Sequence, residues 1–147
     1  MPSLSHLIGE AIIAKLETID GITVRWFDAN DPGEGVAYLV LATDAITGRT
    51  SNGVLRTLSG HVGFTYATET EEGAVPTLAR EAVDELVASM QSALFELETE
   101  LAVVPDNEFS LTSLGYGGSG ETGGEFTVRL DWECRYTHAA RDVREPS

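Results

Sequence analysis

The spacing of apolar positions along the chain switches repeatedly between two periods. Leu4, Leu7, Ile8, Ala11, Ile12, Leu16 and Ile19 recur at helical spacing and make one stripe. Ser3 or Ser5 is placed to cap the start of that helix, and Gly21 follows its end. "ITVRWFD" (Ile22 to Asp28) then alternates, with Val24 and Trp26 on one side, and predicts a short strand. "ANDPGEG" (Ala29 to Gly35) is turn-rich. "VAYLVLAT" (Val36 to Thr43) is continuously apolar, which suits a strand buried on both faces, and Val36, Tyr38 and Val40 favour strand over helix. Asp44 to Gly53 is polar and contains glycine, so a loop is expected there. From Val54 to Glu69 the pattern is extended, with Val62, Phe64 and Tyr66 alternating with Gly63, Thr65 and Ala67.

"ETEEGAVP" (Glu69 to Pro76) breaks the alternation, and Pro76 suits a first helical position. Ala79, Val83, Leu86, Val87, Met90, Leu94, Leu97 and Leu101 continue at helical spacing. Glu96, Glu98 and Glu100 would sit at the negative pole of that helix's dipole. Either the helix stops before them or a positive partner lies nearby; the early stop is the expectation. "FSLTSLGY" (Phe109 to Tyr116) reads as a strand, and residues 115 to 124 hold six glycines. In "EFTVRLDWECRYTH" (Glu125 to His138) the side chains sort by alternation into two classes. Phe126, Val128, Leu130, Trp132, Cys134 and Tyr136 share one face, while Thr127, Arg129, Asp131, Glu133, Arg135 and Thr137 share the other. Periodicity ends at His138, so residues 139–147 are expected to form a flexible tail after a single domain spanning 1–138. The order α-β-β-β-α-β-β predicts an α+β fold, a mostly antiparallel sheet of four or five strands with two helices on one face.

Composition changes this picture mainly through charge. Nine Lys plus Arg stand against 24 Asp plus Glu, a formal net charge of −15. Lys15 is the sole lysine, and the eight arginines are scattered. Binding nucleic acid relies on cations that neutralise phosphates, so this balance argues against a DNA-reading role. No apolar run approaches the roughly 20 residues that cross a bilayer. The start "MPSLSHLIGE" lacks the basic opening of a secretory signal and reads as intracellular. Cys134 is the only cysteine and falls on the apolar face of its strand, as a small buried hydrophobe would. His6, His61 and His138 are far apart, without metal-ligand spacing to any Cys or His.

Few motifs carry chemistry. "GYGGSG" (Gly115 to Gly120) matches G-x-G-x-x-G, but the phosphate grip of that motif needs a helix N-terminus next, and here a strand follows. Tyr116, Gly117, Gly118, Ser119, Gly120 and Glu121 therefore read as a flexible hairpin loop that orders on a partner. Asp131 and Glu133 share a face about 7 Å apart by strand spacing. Such a pair can hydrolyse glycosides, but Arg129 and Arg135 flank it and would keep both carboxylates ionised. Ser59 and His61 share a face by chance, without a nucleophile elbow. Asp28, Asp31 and Glu34 fail the spacing of a calcium loop. The expectation is a protein that binds without making or breaking bonds, and needs no cofactor or metal. A small hydrolase or ligand-binding domain using the open sheet face is the alternative from another class.

With this pattern assembled, the chain resembles the tail-terminator (tail-completion) proteins of long-tailed bacteriophages. The resemblance runs through "LSHLIGEAIIAKL", "VAYLVLAT", "GHVGFTYAT", "LAREAVDELVASMQSAL" and "EFTVRLDWECRYTH", most of residues 4 to 138. It implies a virion protein at the head-proximal end of the tail, assembled in the bacterial host cytoplasm. Its partners would be further copies of itself in a ring, six by the family's habit, the tail-tube protein, and neck or head-completion proteins. Genome DNA would pass through the lumen without specific binding. A head-completion or neck ring protein is the nearby alternative. In such a ring, Arg129 and Arg135 of one subunit, beside Asp131 and Glu133, would meet carboxylates of the next, such as Glu96, Glu98 and Glu100.

Overall fold

A computed structural model describes residues 2–27, 37–67, 80–101, 107–118 and 125–146. Helix α1 spans Leu4–Leu16, β1 Val24–Trp26, β2 Ala37–Arg49 and β3 Gly53–Ala67. Helix α2 spans Arg80–Glu100, β4 Glu108–Gly118 and β5 Glu125–Ala139. The five strands form one sheet in the order β1-β2-β3-β5-β4. Only β1 and β2 run parallel; the other three pairings are antiparallel. This is the α+β class expected from the alternation of periods.

Each element forms for a local reason. Ser3 caps α1, its hydroxyl accepting the His6 N–H at 3.3 Å. Gly21 takes a φ of 82° after the helix, a left-handed turn that costs glycine nothing. Leu4, Ile8, Ile12 and Leu16 bury the stripe of α1, and Val83, Val87, Met90, Leu94 and Leu97 bury that of α2. Both helices cover the face of β5 that carries Val128, Leu130, Trp132, Cys134 and Tyr136, each at most 2% exposed. At roughly 1.5–3 kcal/mol per large apolar side chain, this shared core is what holds helices to sheet.

Two glycines are there for close approach. Gly60 pairs with Trp132 across β3 and β5, and a methyl group there would collide with the Val40 carbonyl and reach 2.7 Å from the indole ring. Gly9 lets the Trp26 ring lie directly on α1. Trp26 is fixed further by stacking on His6, with centroids 5.1 Å apart, and by donating its Nε1–H to Glu10 at 2.7 Å.

Four expectations need correction. Residues 44–53 are largely strand rather than loop: β2 runs to Arg49 and the reversal into β3 is short, with Thr50 Oγ1 accepting the Gly53 N–H at 3.0 Å. This hairpin overhangs β1, which pairs with only three residues of β2, so Ala42 to Thr47 are exposed. Accordingly β2 is not buried on both faces; Ala37 and Leu39 are buried while Tyr38 and Val40 are intermediate. Third, α2 does not stop before Glu96 but reaches Glu100. The cation its C-terminus needs is Lys15 of α1, 2.7 Å from both Glu96 and Glu100. Fourth, Tyr116, Gly117 and Gly118 are paired residues of β4 rather than loop; Ser119, Gly120 and Glu121 lie outside the described residues, as do Pro76 and Asp28 to Val36. Beyond β5 the expected tail has no periodicity but does have partners. The Leu4 N–H donates to the Val143 carbonyl at 3.0 Å, and the Ala139 N–H to the Glu145 carbonyl at 2.7 Å.

Candidate functional site

The second face of the sheet is left uncovered by the helices, and the register shows what it presents. Side chains directly opposite on paired strands share a face. One row therefore reads Tyr38, Gly63, Arg129, Gly115; the next Val40, His61, Asp131, Ser113; and the next Thr43, Ser59, Glu133, Ser110. Arg25 of β1 pairs with Tyr38 and extends the first row, and Glu108 stands opposite Arg135 at the other end of the face.

Arg129, Asp131, Glu133 and Arg135 of this face are bonded within the chain. Arg129 donates its Nε–H to Asp131 Oδ1 at 2.6 Å, and Ser113 donates its hydroxyl to Asp131 Oδ2 at 2.7 Å. Partial burial alone would raise the Asp131 pKa, but the bonds from Arg129 and Ser113 outweigh it and hold the carboxyl below its usual 3.8. Arg135 lies 3.6 Å from Glu108 and 3.9 Å from Glu133. A general acid at neutral pH needs the opposite, a carboxyl whose pKa is pushed up in an apolar pocket. Asp131 is instead locked as an ionised acceptor.

His61, which the sequence offers only as a chance neighbour of Ser59, has a different partner in the fold. It stands opposite Asp131 on the neighbouring strand, beneath an edge-on contact with Tyr38 at 6.4 Å. Its Nδ1 is buried and lacks a hydrogen-bond partner among the described residues. Burial, then the nearby Arg129 charge, lowers its pKa below 6.5, with Asp131 pulling the other way. The signal was available in principle, since His61 alternates with Val62, but only the β3–β5 register sets it beside Asp131. Ser59, its neighbour in sequence, shares a 2.5 Å hydrogen bond with Thr43 instead.

The acidic end of α2 is equally engaged. Lys15 bridges Glu96 and Glu100, and Glu98 Oε1 accepts the Leu111 N–H of β4 at 3.0 Å. The structure thus groups Arg129, Asp131, Glu133 and Arg135 on one face. It places Glu96, Glu98 and Glu100 on a helix against the opposite side of the sheet. Tyr116 belongs to neither group; it points to the helix side, 62% exposed.

Among the described residues, a cavity of about 480 Å³ lies between Tyr66, Arg80, Val83, Asp84, Tyr116 and Phe126, and one of about 380 Å³ between the turn after α1 (Thr18, Ile19) and α2. Neither is lined by Asp131 or Glu133. Among the described residues no three His, Cys, Asp or Glu side chains gather as a metal ion would require. No described helix is long and apolar enough to cross a membrane. Cys134 is fully buried, and burial pushes its thiol up to about 12, so it is no thiolate at neutral pH. Neither a family model nor a curated protein matches the chain.

Proposed function

We propose that the chain is a virion assembly protein of the tail-terminator kind, forming a ring on the end of a phage tail tube that ends tube growth and meets the neck. The observation that carries this reading is the element order: one helix, three strands, a long helix and two long strands, in one sheet with both helices on one side. That is the order on which the resemblance rests. The open face supports it in a second way. Its carboxylates Asp131, Glu133 and Glu108 are already paired with Arg129 and Arg135. The outer edge of β2, exposed from Ala42 to Thr47 with Ile46 46% exposed, offers a surface of the sort that contacts a neighbour.

Engagement of Glu96, Glu98 and Glu100 within the chain narrows how subunits meet. A ring contact through Arg129 and Arg135 uses the open face and new carboxylates, not the end of α2. The mechanism is steric, with acidic groups facing the lumen so that DNA passes without sticking. The experiment is mass measurement and negative-stain imaging of the protein alone and mixed with tail tubes. Rings that cap tubes are expected, and Arg129→Glu or Arg135→Glu should give folded protein that no longer assembles. A protein that stays monomeric and ignores tubes, or a ring whose lumen is lined mainly by arginine, contradicts this reading.

A further inference from the structure

The sheet has an edge whose chemistry differs from that of the open face. β4 is the last strand in the order, so alternate residues turn backbone N–H and C=O groups away from β5. At Leu111 that outward N–H is taken by the Glu98 carboxylate. Beyond the bulge between Leu111 and Ser113 no described residue bonds to the outer edge. Natural edges are guarded by lysine, proline or inward charge, and Ser113 to Gly118 ("SLGYGG") carries none of these.

A helix runs beside this open edge. Asp84 shares the 480 Å³ cavity with Tyr116, while Glu98 reaches Leu111. That shared cavity and that hydrogen bond lay α2 antiparallel along β4: 14 residues of helix cover about 21 Å, and the strand from Leu111 to Tyr116 covers about 17 Å. Arg80, Asp84, Gln91, Phe95 and Glu98 recur at helical spacing and form the stripe on that side. Phe95 on the stripe and Tyr116 on the strand are 53% and 62% exposed, so two large, exposed rings flank the edge. At one end the cavity of Tyr66, Val83, Tyr116 and Phe126 has room for a bulky apolar side chain.

We propose that the outer edge of β4 and the α2 stripe form a docking groove for an extended, basic segment of another protein. The segment adds a strand to β4, places one bulky apolar side chain in the cavity, and sets cationic side chains against Asp84 and Glu98. Charge selects the occupant. Along the groove Asp84 and Glu98 stand against Arg80 alone, Glu96 and Glu100 being paired with Lys15, and in a chain of net charge −15 a basic segment is drawn in where a second copy is repelled. The proposal concerns the single chain and stands independently of ring formation.

The test is backbone amide shift mapping on the labelled full chain. The probe is a synthetic seven-residue peptide that alternates lysine with apolar residues around a central phenylalanine. Shifts confined to β4 from Leu111 to Gly118 and to the α2 stripe are expected. The same peptide, N-methylated on alternate residues so that it cannot pair with a strand, should lose binding at equal ionic strength. Asp84→Lys, whose fold the same spectrum checks, should weaken the peptide at least tenfold, and Tyr116→Ser should do so without changing charge. Binding that survives N-methylation, shifts spread over all acidic surfaces, or no binding overturns the proposal. So does concentration-dependent self-association that protects the β4 amides, which would make a second copy the occupant.

Discussion

Asp131 and Gly60 are neighbours across one sheet whose substitution should fail in opposite ways. Asp131 gains its two short hydrogen bonds only in the folded chain, and its pKa is held below 3.8 there. Its contribution is therefore present above the unfolded value and lost as pH falls through the lower folded value. On a partly exposed face this ion pair is worth up to about 1 kcal/mol. Asp131→Asn should cost that amount at neutral pH in urea unfolding, and the two proteins should converge in acid. An unchanged difference at low pH would place the cost elsewhere than in the charge. Gly60→Ala should be the more damaging change. The added methyl meets the Val40 carbonyl and the Trp132 ring, neither of which can give way within the core, and overpacking of this kind costs about 1–3 kcal/mol. Calorimetry showing a Gly60→Ala protein as stable as the parent would contradict the packing described.

At the level of elements, the C-terminal half of α2 depends on α1. Three glutamates at the negative end of a helix dipole are unfavourable by themselves, and Lys15 reverses that for two of them. Bonds to Glu100 and Glu96 raise the Lys15 pKa above 10.5. This stabilisation is complete below 10.5 and lost as pH rises through the folded value. Lys15→Met should therefore fray the last turns of α2, seen as lost far-ultraviolet helical signal and faster amide exchange near Glu96 to Glu100. The deficit against the parent should shrink as the medium becomes strongly alkaline. The same pair of helices shows what the sequence made legible. Apolar spacing located both helices, and period-two alternation placed β5 and its two faces residue by residue, because those signals are local. It failed where the deciding partner is distant. The extent of α2 turns on a lysine some 80 residues earlier, and strand pairing of Asp44 to Arg49 turns on β3 opposite it. The candidate site was half legible: its four charged residues follow from alternation, while His61 and Ser113 join them only through register.

For the whole molecule, the charge of −15 is the dominant constraint. Eight of nine cations are arginines, and several are already committed to neighbours: Arg56 to Asp44, Arg129 to Asp131, Arg135 to Glu108 and Glu133, and Arg144 to Asp142. The remaining repulsion is long-ranged and screened by salt over a Debye length of about 8–10 Å near physiological strength. Raising ionic strength from low to physiological should raise Tm by a few degrees and favour self-assembly in sedimentation experiments. A Tm that falls with salt would mean that exposed ion pairs outweigh the net repulsion.

The pairing of Lys15 with two glutamates reaches into the choice of laboratory reagents. Aldehydes and activated esters capture protein complexes through ε-amines, and this chain offers one, clamped between carboxylates and kept protonated. Apart from the α-amino group, such reagents have only this one amine in each copy to join. An empty amine cross-linking gel would therefore say little about whether subunits touch. Carbodiimide coupling of the plentiful carboxylates to an added dihydrazide, or a photoreactive side chain placed at Ile46, would read the contacts that amine chemistry misses.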